Sequence, residues 1–433
     1  MKPLALLGLL GGMVLLTACP QTPRPPVNPV ECPTGPLEVQ VDPSLRLQGM
    51  GGFEGEYAPG ELLVLPKPGL SLQAWRAEGM APQEELPRGL LRVKVPPGQE
   101  KEKAQALLRS GALYAQPNYL YRPLRTPNDP LYALQQKPYM DAMGLKDAWD
   151  RGTGRGCPPV VAVLDTGILP HEDLQQSLYL PRERRLDVAE GDTDPRDASA
   201  PDVRGHGLMV ASVLGADTHN GKGMAGVTWG GYLVPIKIIK DGADQMFTSD
   251  ILAGVNLARQ MGARVINLSL GAPGIQDGAL ASALAEARAG GTVVVAASGN
   301  GGGPGVYFPA NLPGVIAVGA VRPDKARASF SSYGPELSLV APGVGVVVAD
   351  PKDPRGYSAG LGTSFASPMV AGVAALYMSK YASERRVWPT PDQVYGCLTQ
   401  TAEDLGPPGK DEEYGFGLVR ADRVMANTTH CFP

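Results

Sequence analysis

The chain of 433 residues is poor in the side chains that usually serve as bases and metal ligands: it holds four histidines and five cysteines. So few histidines leave few candidates for a base that works near neutral pH. No two cysteines stand at metal-ligand spacing, which argues against zinc. Charge is nearly balanced, 39 basic against 43 acidic residues for a net −4, and no long basic run occurs. That excludes nucleic acid as an expected partner. Beyond the N-terminus there is no stretch of about 18 apolar residues, so no internal membrane span is expected. Glycine (55) and proline (43) are abundant instead, as in a chain with many turns and rigid loops. The 43% hydrophobic content is ample for a large core, and the length favours more than one domain.

Residues 1–18 read as a signal peptide rather than as structure. Lys2 supplies a positive start and Leu4 to Leu16 an apolar stretch. The segment ends Leu16-Thr17-Ala18-Cys19, which resembles the lipobox of bacterial lipoproteins. Ordinary cleavage would want a small residue where Leu16 stands. The resemblance therefore implies lipidation of Cys19; the alternative is a plain secretory signal. The chain is expected to be a membrane-anchored lipoprotein on the extracytoplasmic side, or secreted. Residues 19–55, proline-rich at their start, suit an extended tether. Export permits disulfides. With Cys19 given to lipid, Cys32, Cys157, Cys397 and Cys431 remain. Cys397 and Cys431 share the C-terminal region and form the first pair to consider, with Cys157 as the competitor.

Residues 56–124 read as a small α+β domain. Glu61 to Leu65, Leu90 to Val95 and Ala112 to Ala115 have strand character, and Ala104, Leu107 and Leu108 fall at helical spacing. From 125 to 433 the pattern changes. The runs Val160 to Leu164, Tyr232 to Ile239, Arg264 to Leu270, Thr292 to Ala297 and Val315 to Val321 are nearly all apolar, as expected of parallel strands buried on both faces. Helical stretches near Ser249 to Met261 and Ala279 to Ala289 alternate with them. The expectation is an α/β fold with helices on both faces of a parallel sheet, its site at the carboxyl ends of the strands.

Four residues stand where such a site would form. Asp165 directly follows the first buried run. His206 lies between Gly205 and Gly207, open to close approach; His171, His219 and His430, in polar or terminal contexts, are expected at the surface. Asn300 ends the run Val293 to Gly299, and its amide could donate to an oxyanion. Ser364 opens a buried helix in Gly362-Thr363-Ser364-Phe365-Ala366-Ser367-Pro368. Three have a plainer reading: Asp165 and Asn300 as turn residues, Ser364 as a helix N-cap.

Together, in the order Asp165, His206, Ser364, they resemble the subtilisin family of serine proteases. The resemblance spans about Thr126 to Asn427 and includes Ala328 to Pro335 and Ala341-Pro342-Gly343. It implies a subtilisin-like three-layer fold over 125–433, preceded by an inhibitory prodomain over 56–124, with self-cleavage between about Tyr119 and Asn128. It implies an Asp165–His206–Ser364 triad with Asn300 as oxyanion donor. Ser269-Leu270-Gly271 would pair with an extended substrate, and Tyr307 would shorten the primary specificity pocket, favouring medium-sized apolar or aromatic side chains. It implies a structural calcium held by Asp129, Asp173, the Asn220 side chain and the carbonyls of Thr218, Lys222 and Met224. Chemistry would need no cofactor. The expected partners are protein or peptide substrates, the chain's own prodomain and, through lipid, a membrane, with the protein a monomer. Leu208, Met209 and Met369 depart from the residues usual in the family. The competing function is a binding protein on a catalytically inactive fold.

Overall fold

The structure, a computed structural model, describes residues 47–433 apart from 78, 122–124, 428 and 433. Residues 1–18, expected to be a signal peptide, Cys19, Cys32 and most of the expected tether lie outside the described residues. The chain divides into two compact units between Leu120 and Tyr121, four residues before the boundary read from the sequence.

The first unit is a five-stranded sheet built from β1 (Gly49–Met50), β2 (Tyr57–Pro66), β3 (Ala81–Leu86), β4 (Leu90–Lys94) and β5 (Ala112–Tyr119). Its strand order is β1-β5-β2-β4-β3, with α1 (Gln73–Ala77) and α2 (Glu100–Arg109) between strands. Leu62, Val64, Trp75, Met80, Val93, Ala104 and Leu107 make its core. Two strands were not legible. β1 pairs with β5 inside the segment expected to be tether, so ordered structure begins before residue 56. β3 (APQEEL) is a largely exposed edge strand, and an edge facing water carries no apolar alternation.

The second unit opens with α3 (Lys137–Ala142) and α4 (Leu145–Arg151). Six parallel strands follow: β6 (Val160–Asp165), β7 (Tyr232–Lys237), β8 (Val265–Leu268), β9 (Val293–Ala297), β10 (Ile316–Val321) and β11 (Leu339–Pro342). Their order is β11-β10-β9-β8-β6-β7, and β8 to β11 are wholly buried. One helical layer holds α5 (His206–Gly215) packed on α8 (Thr363–Arg385); the other holds α6 (Thr248–Gln260) packed on α7 (Gly278–Ala289). An antiparallel hairpin, β12 (Val344–Ala349) and β13 (Tyr357–Leu361), leads into α8, and α9 (Pro391–Gln400) and α10 (Ala421–Ala426) close the unit. This is the three-layer α/β arrangement with a parallel central sheet.

α8 is buried from Thr363 to Ser379 except at Ser364. A helix apolar all round belongs in a core, and this one lies against β8 to β11. At the chain's end Cys397 and Cys431 form a disulfide, with Cα atoms 4.8 Å apart; Cys157 is a free thiol. Among the described residues no helix is long and apolar enough to cross a membrane.

Candidate active site

The site assembles from loops at the carboxyl ends of the parallel strands. Asp165 is the last residue of β6 and is 1% exposed. Its Oδ1 accepts a hydrogen bond from His206 Nδ1 at 2.7 Å and another from the Thr166 N–H at 2.7 Å. A carboxylate partner fixes the proton on Nδ1, leaving Nε2 as the basic nitrogen. Burial disfavours the imidazolium, but the Asp165 charge, its hydrogen bond and the Asp197 charge outweigh burial. Together they hold the His206 pKa above its ordinary value.

His206 is the first residue of α5, after Gly205 at φ +88°, where a side chain would be strained. A Cβ on Gly207 would fall 2.1 Å from the Gly167 carbonyl. Glycine is thus what lets the first turn of α5 touch the loop after β6 and brings His206 to Asp165.

Ser364 is the second residue of α8, whose N-cap is Gly362; the N-cap reading of Ser364 is set aside. Position i+4 from Ser364 is Pro368, which has no N–H to give the Ser364 carbonyl. That carbonyl accepts instead from Ser269 Oγ at 2.8 Å, and Ser364 Oγ donates back to the Ser269 carbonyl at 3.4 Å. Asn267, at 0% exposure, backs the pair by donating to Ser269 Oγ and accepting from Ser367 Oγ. In this resting rotamer the Ser364 hydroxyl makes no hydrogen bond to His206. The next side chain, Phe365, lies with its ring centroid 6.1 Å from that of the imidazole, so base and helix start are neighbours.

Asn300 follows β9. Its Oδ1 accepts from both the N–H and the hydroxyl of Thr363, each at 2.9 Å, which turns Nδ2 away and leaves it to donate. A point one Cβ bond from the Gly362 Cα is 3.4 Å from Asn300 Nδ2 and 3.7 Å from the Ser364 N. Two donors thus flank one small space at the positive end of a helix, where negative charge is favoured.

Beside His206 opens a cavity of about 490 Å³, lined by Ser269, Leu270 and Gly271 and walled by Ile239, Met246, Ile251, Ile275 and Leu280, with Asp244 and Asp277 also on its lining. Tyr307 is not on that lining. Its ring lies along the backbone after β9: a Cβ on Gly299 would fall 2.5 Å from its Cγ, and one on Gly301 2.5 Å from its hydroxyl. Its own Cβ is 3.2 Å from where a Gly271 Cβ would sit. Tyr307 therefore covers the wall between Gly299 and Gly301 and reaches the Gly271 segment, more obstructive than a residue at a pocket floor.

The residues expected to hold calcium are brought together, but they are already occupied. Asp129 accepts the N–H groups of His219 and Asn220. Asp173 Oδ1 accepts from the Asn220 amide, and Oδ2 from the Met224 N–H and the Tyr357 hydroxyl. Asn220 Oδ1 is taken by the Lys222 N–H, and the Thr218 carbonyl faces the Arg155 guanidinium at 3.1 Å. Calcium wants six to eight converging oxygens; here amide donors and a fixed cation point at them. As folded, these oxygens are met by donors of the same chain, and a calcium site here is an expectation for measurement in solution. His171, expected at the surface, is a correction. It is 4% exposed, with Nδ1 accepting from the Asp173 N–H and Nε2 bonded to the Gly356 carbonyl.

The structure adds residues the sequence did not single out. Thr166 and Thr363 flank quoted motifs and were within reach. Asp197, at 0% exposure, lies in a polar loop with no distinguishing pattern.

A parallel α/β sheet with a carboxylate-bonded histidine and a serine at a helix start defines a hydrolase of the serine type. The subtilase family profile matches residues 156–417, and the chain belongs to that family. It is 35% identical over 305 residues to the thermophilic serine proteinase of Bacillus sp. (strain AK1), covering 70% of each chain. It is 38% identical to subtilisin DY of Bacillus licheniformis, over 62% of this chain and 91% of that one. Among solved structures, a protease of Pseudoalteromonas arctica PAMC 21717 superposes with a TM-score of 0.62 at 33% identity, covering 70% of this chain and 99% of that one. Fervidolysin from Fervidobacterium pennivorans, a keratinolytic enzyme, gives 0.59 at 26%, covering 88% and 63%. The protein is a serine endopeptidase.

If the Asp173 loop is closed by its own donors, the thermal midpoint of Ser364→Ala protein is the same in chelator and in millimolar calcium. Tyr357→Phe then lowers stability by about 1 kcal/mol, the worth of one hydrogen bond. A midpoint raised by calcium and abolished in Asp129→Ala, Asp173→Ala protein would restore the metal.

Proposed function

We propose that Asp165, His206 and Ser364 act as the catalytic triad of an extracytoplasmic endopeptidase that matures by cutting itself. The observation that carries this reading is the 2.7 Å bond from His206 Nδ1 to Asp165, which leaves Nε2 as the basic nitrogen. As a peptide binds, Ser364 Oγ leaves the Ser269 carbonyl and turns to Nε2. His206 takes its proton while Oγ attacks the scissile carbonyl. The oxyanion is held by Asn300 Nδ2 and the Ser364 N–H, and Asp165 stabilises the imidazolium. His206 then protonates the departing amine, leaving an acyl-enzyme. Water, activated by the same base, releases the acid and restores Ser364. The base must be neutral, and its pKa is raised. Activity is therefore lost as pH falls through a value above the ordinary 6.5 of histidine.

Substrate backbone would lie along Ser269-Leu270-Gly271 as an added strand. With Tyr307 across the Gly299–Gly301 wall, the side chain before the scissile bond must be small, a narrower choice than the medium-sized or aromatic one implied by family resemblance alone. The unit ending at Leu120 has its own core, which supports its reading as a prodomain that inhibits the enzyme until cut away between Tyr119 and Asn128. Export rests on residues 1–18, and the lipid anchor on Cys19.

Five experiments test these points. A fluorophosphonate probe should label the mature enzyme at Ser364. Ser364→Ala should lose about 10⁶ in kcat and accumulate uncut in a host without other extracytoplasmic proteases; normal maturation there rules out self-processing. Asn300→Ala should lose 10²- to 10³-fold, about 3 to 4 kcal/mol, mainly in kcat. In a peptide library, wild type should cut after Gly, Ala or Ser, and Tyr307→Gly should admit Leu and Phe; equal cutting after Phe by wild type refutes the Tyr307 assignment. Cys19→Ser should release the protein from the membrane fraction, and retention there excludes the anchor.

A further inference from the structure

A second carboxylate stands behind the first. Asp197 is fully buried, and no cation pairs with it among the described residues. Its Oδ1 accepts from the N–H and hydroxyl of Ser199, at 3.0 and 2.6 Å. Its Oδ2 accepts from the Thr166 hydroxyl and the Gly205 N–H, both at 2.6 Å. Four neutral donors satisfy the buried carboxylate, and none of them carries a charge to set against it.

The identity of those donors matters. Thr166 follows Asp165, and Gly205 precedes His206. Thr166 Oγ1, while donating to Asp197, accepts the N–H of Gly207 at 2.9 Å. Both neighbours of His206 are thus tied, directly or through Thr166, to one carboxylate that also grips the neighbour of Asp165. The loop carrying Asp197 is itself locked to the chain after β6: Ile168 N–H donates to the Pro195 carbonyl at 2.8 Å, and Asp197 N–H to the Ile168 carbonyl at 3.0 Å.

We propose that Asp197 is a positioning residue for His206, clamping the imidazole against Asp165 and supplying a second negative charge behind the imidazolium that forms during catalysis. The charged groups that act on this histidine are Asp165, from β6, and Asp197, from the loop before α5. From α8 it meets the Phe365 ring. A fixed charge in a dry site needs no reorganisation when the proton arrives, which is how buried electrostatics lower a barrier. This inference rests on His206 being the base.

The test is the pH profile of kcat/KM for Asp197→Asn, which removes the charge with little change of shape. The acid limb should move to lower pH by about 1 unit, and kcat at the plateau should fall about 10- to 100-fold as the clamp loosens. A limb that stays in place with reduced kcat would overturn the electrostatic part. Should that variant fail to fold, Thr166→Val cuts the link to Gly207 while keeping the charge. It should lower kcat with the limb unmoved, and Thr166→Ser should restore kcat. Wild-type kcat in Thr166→Val would overturn the clamp. If His206→Ala keeps wild-type activity, the base assignment has failed instead, an outcome distinct from either of these.

Discussion

Everything in the site is referred to the way α8 begins. A proline four residues after the nucleophile candidate removes one helical hydrogen bond, and the released Ser364 carbonyl is taken by Ser269 from the end of β8. The first turn of a buried helix is thereby bolted to the central sheet. Thr363 does the same on the other side by holding Asn300, from the end of β9. Two strands and one helix start thus fix Ser364 and Asn300, the proposed oxyanion donor, in one frame, and that frame cannot shift without disturbing a helix packed in the core.

His206 and Asp165, the proposed base and its acid, belong to a second frame, built on β6 and α5. β6 and β8 are paired neighbours in the sheet, so the two frames share a rigid floor. What remains adjustable is small: the rotation of the Ser364 hydroxyl from the Ser269 carbonyl toward His206. A site whose parts are already placed spends little on ordering them when substrate binds.

The parallel strands could be read from the sequence because burial on both faces makes a strand apolar along its length, as in Val160-Val161-Ala162-Val163-Leu164. The residues at their carboxyl ends followed from that reading. β3 was invisible because an exposed edge has no pattern to show. His171 was placed at the surface because Glu172 and Asp173 follow it, yet the fold buries all its polarity in hydrogen bonds. Asp197 illustrates a further limit. Its significance comes from which backbone amides a loop meets, and no local pattern encodes that. In the loop around Asn220 the ligand types read from the sequence do come together, with donors of the same chain upon them.

The C-terminal segment carries a consequence of its own. Cys431 is bonded to Cys397 in α9. Its carbonyl accepts from the Tyr377 hydroxyl of α8, and Arg385 donates to the Phe432 carbonyl. Loose segments are where proteases first cut, and an endopeptidase can cut copies of itself. A tail sewn to the helix that carries Ser364 presents no extended strand for a neighbour to read. Survival at high local concentration, such as on a crowded surface, then depends on how seldom that seam opens rather than on the total stability of the fold.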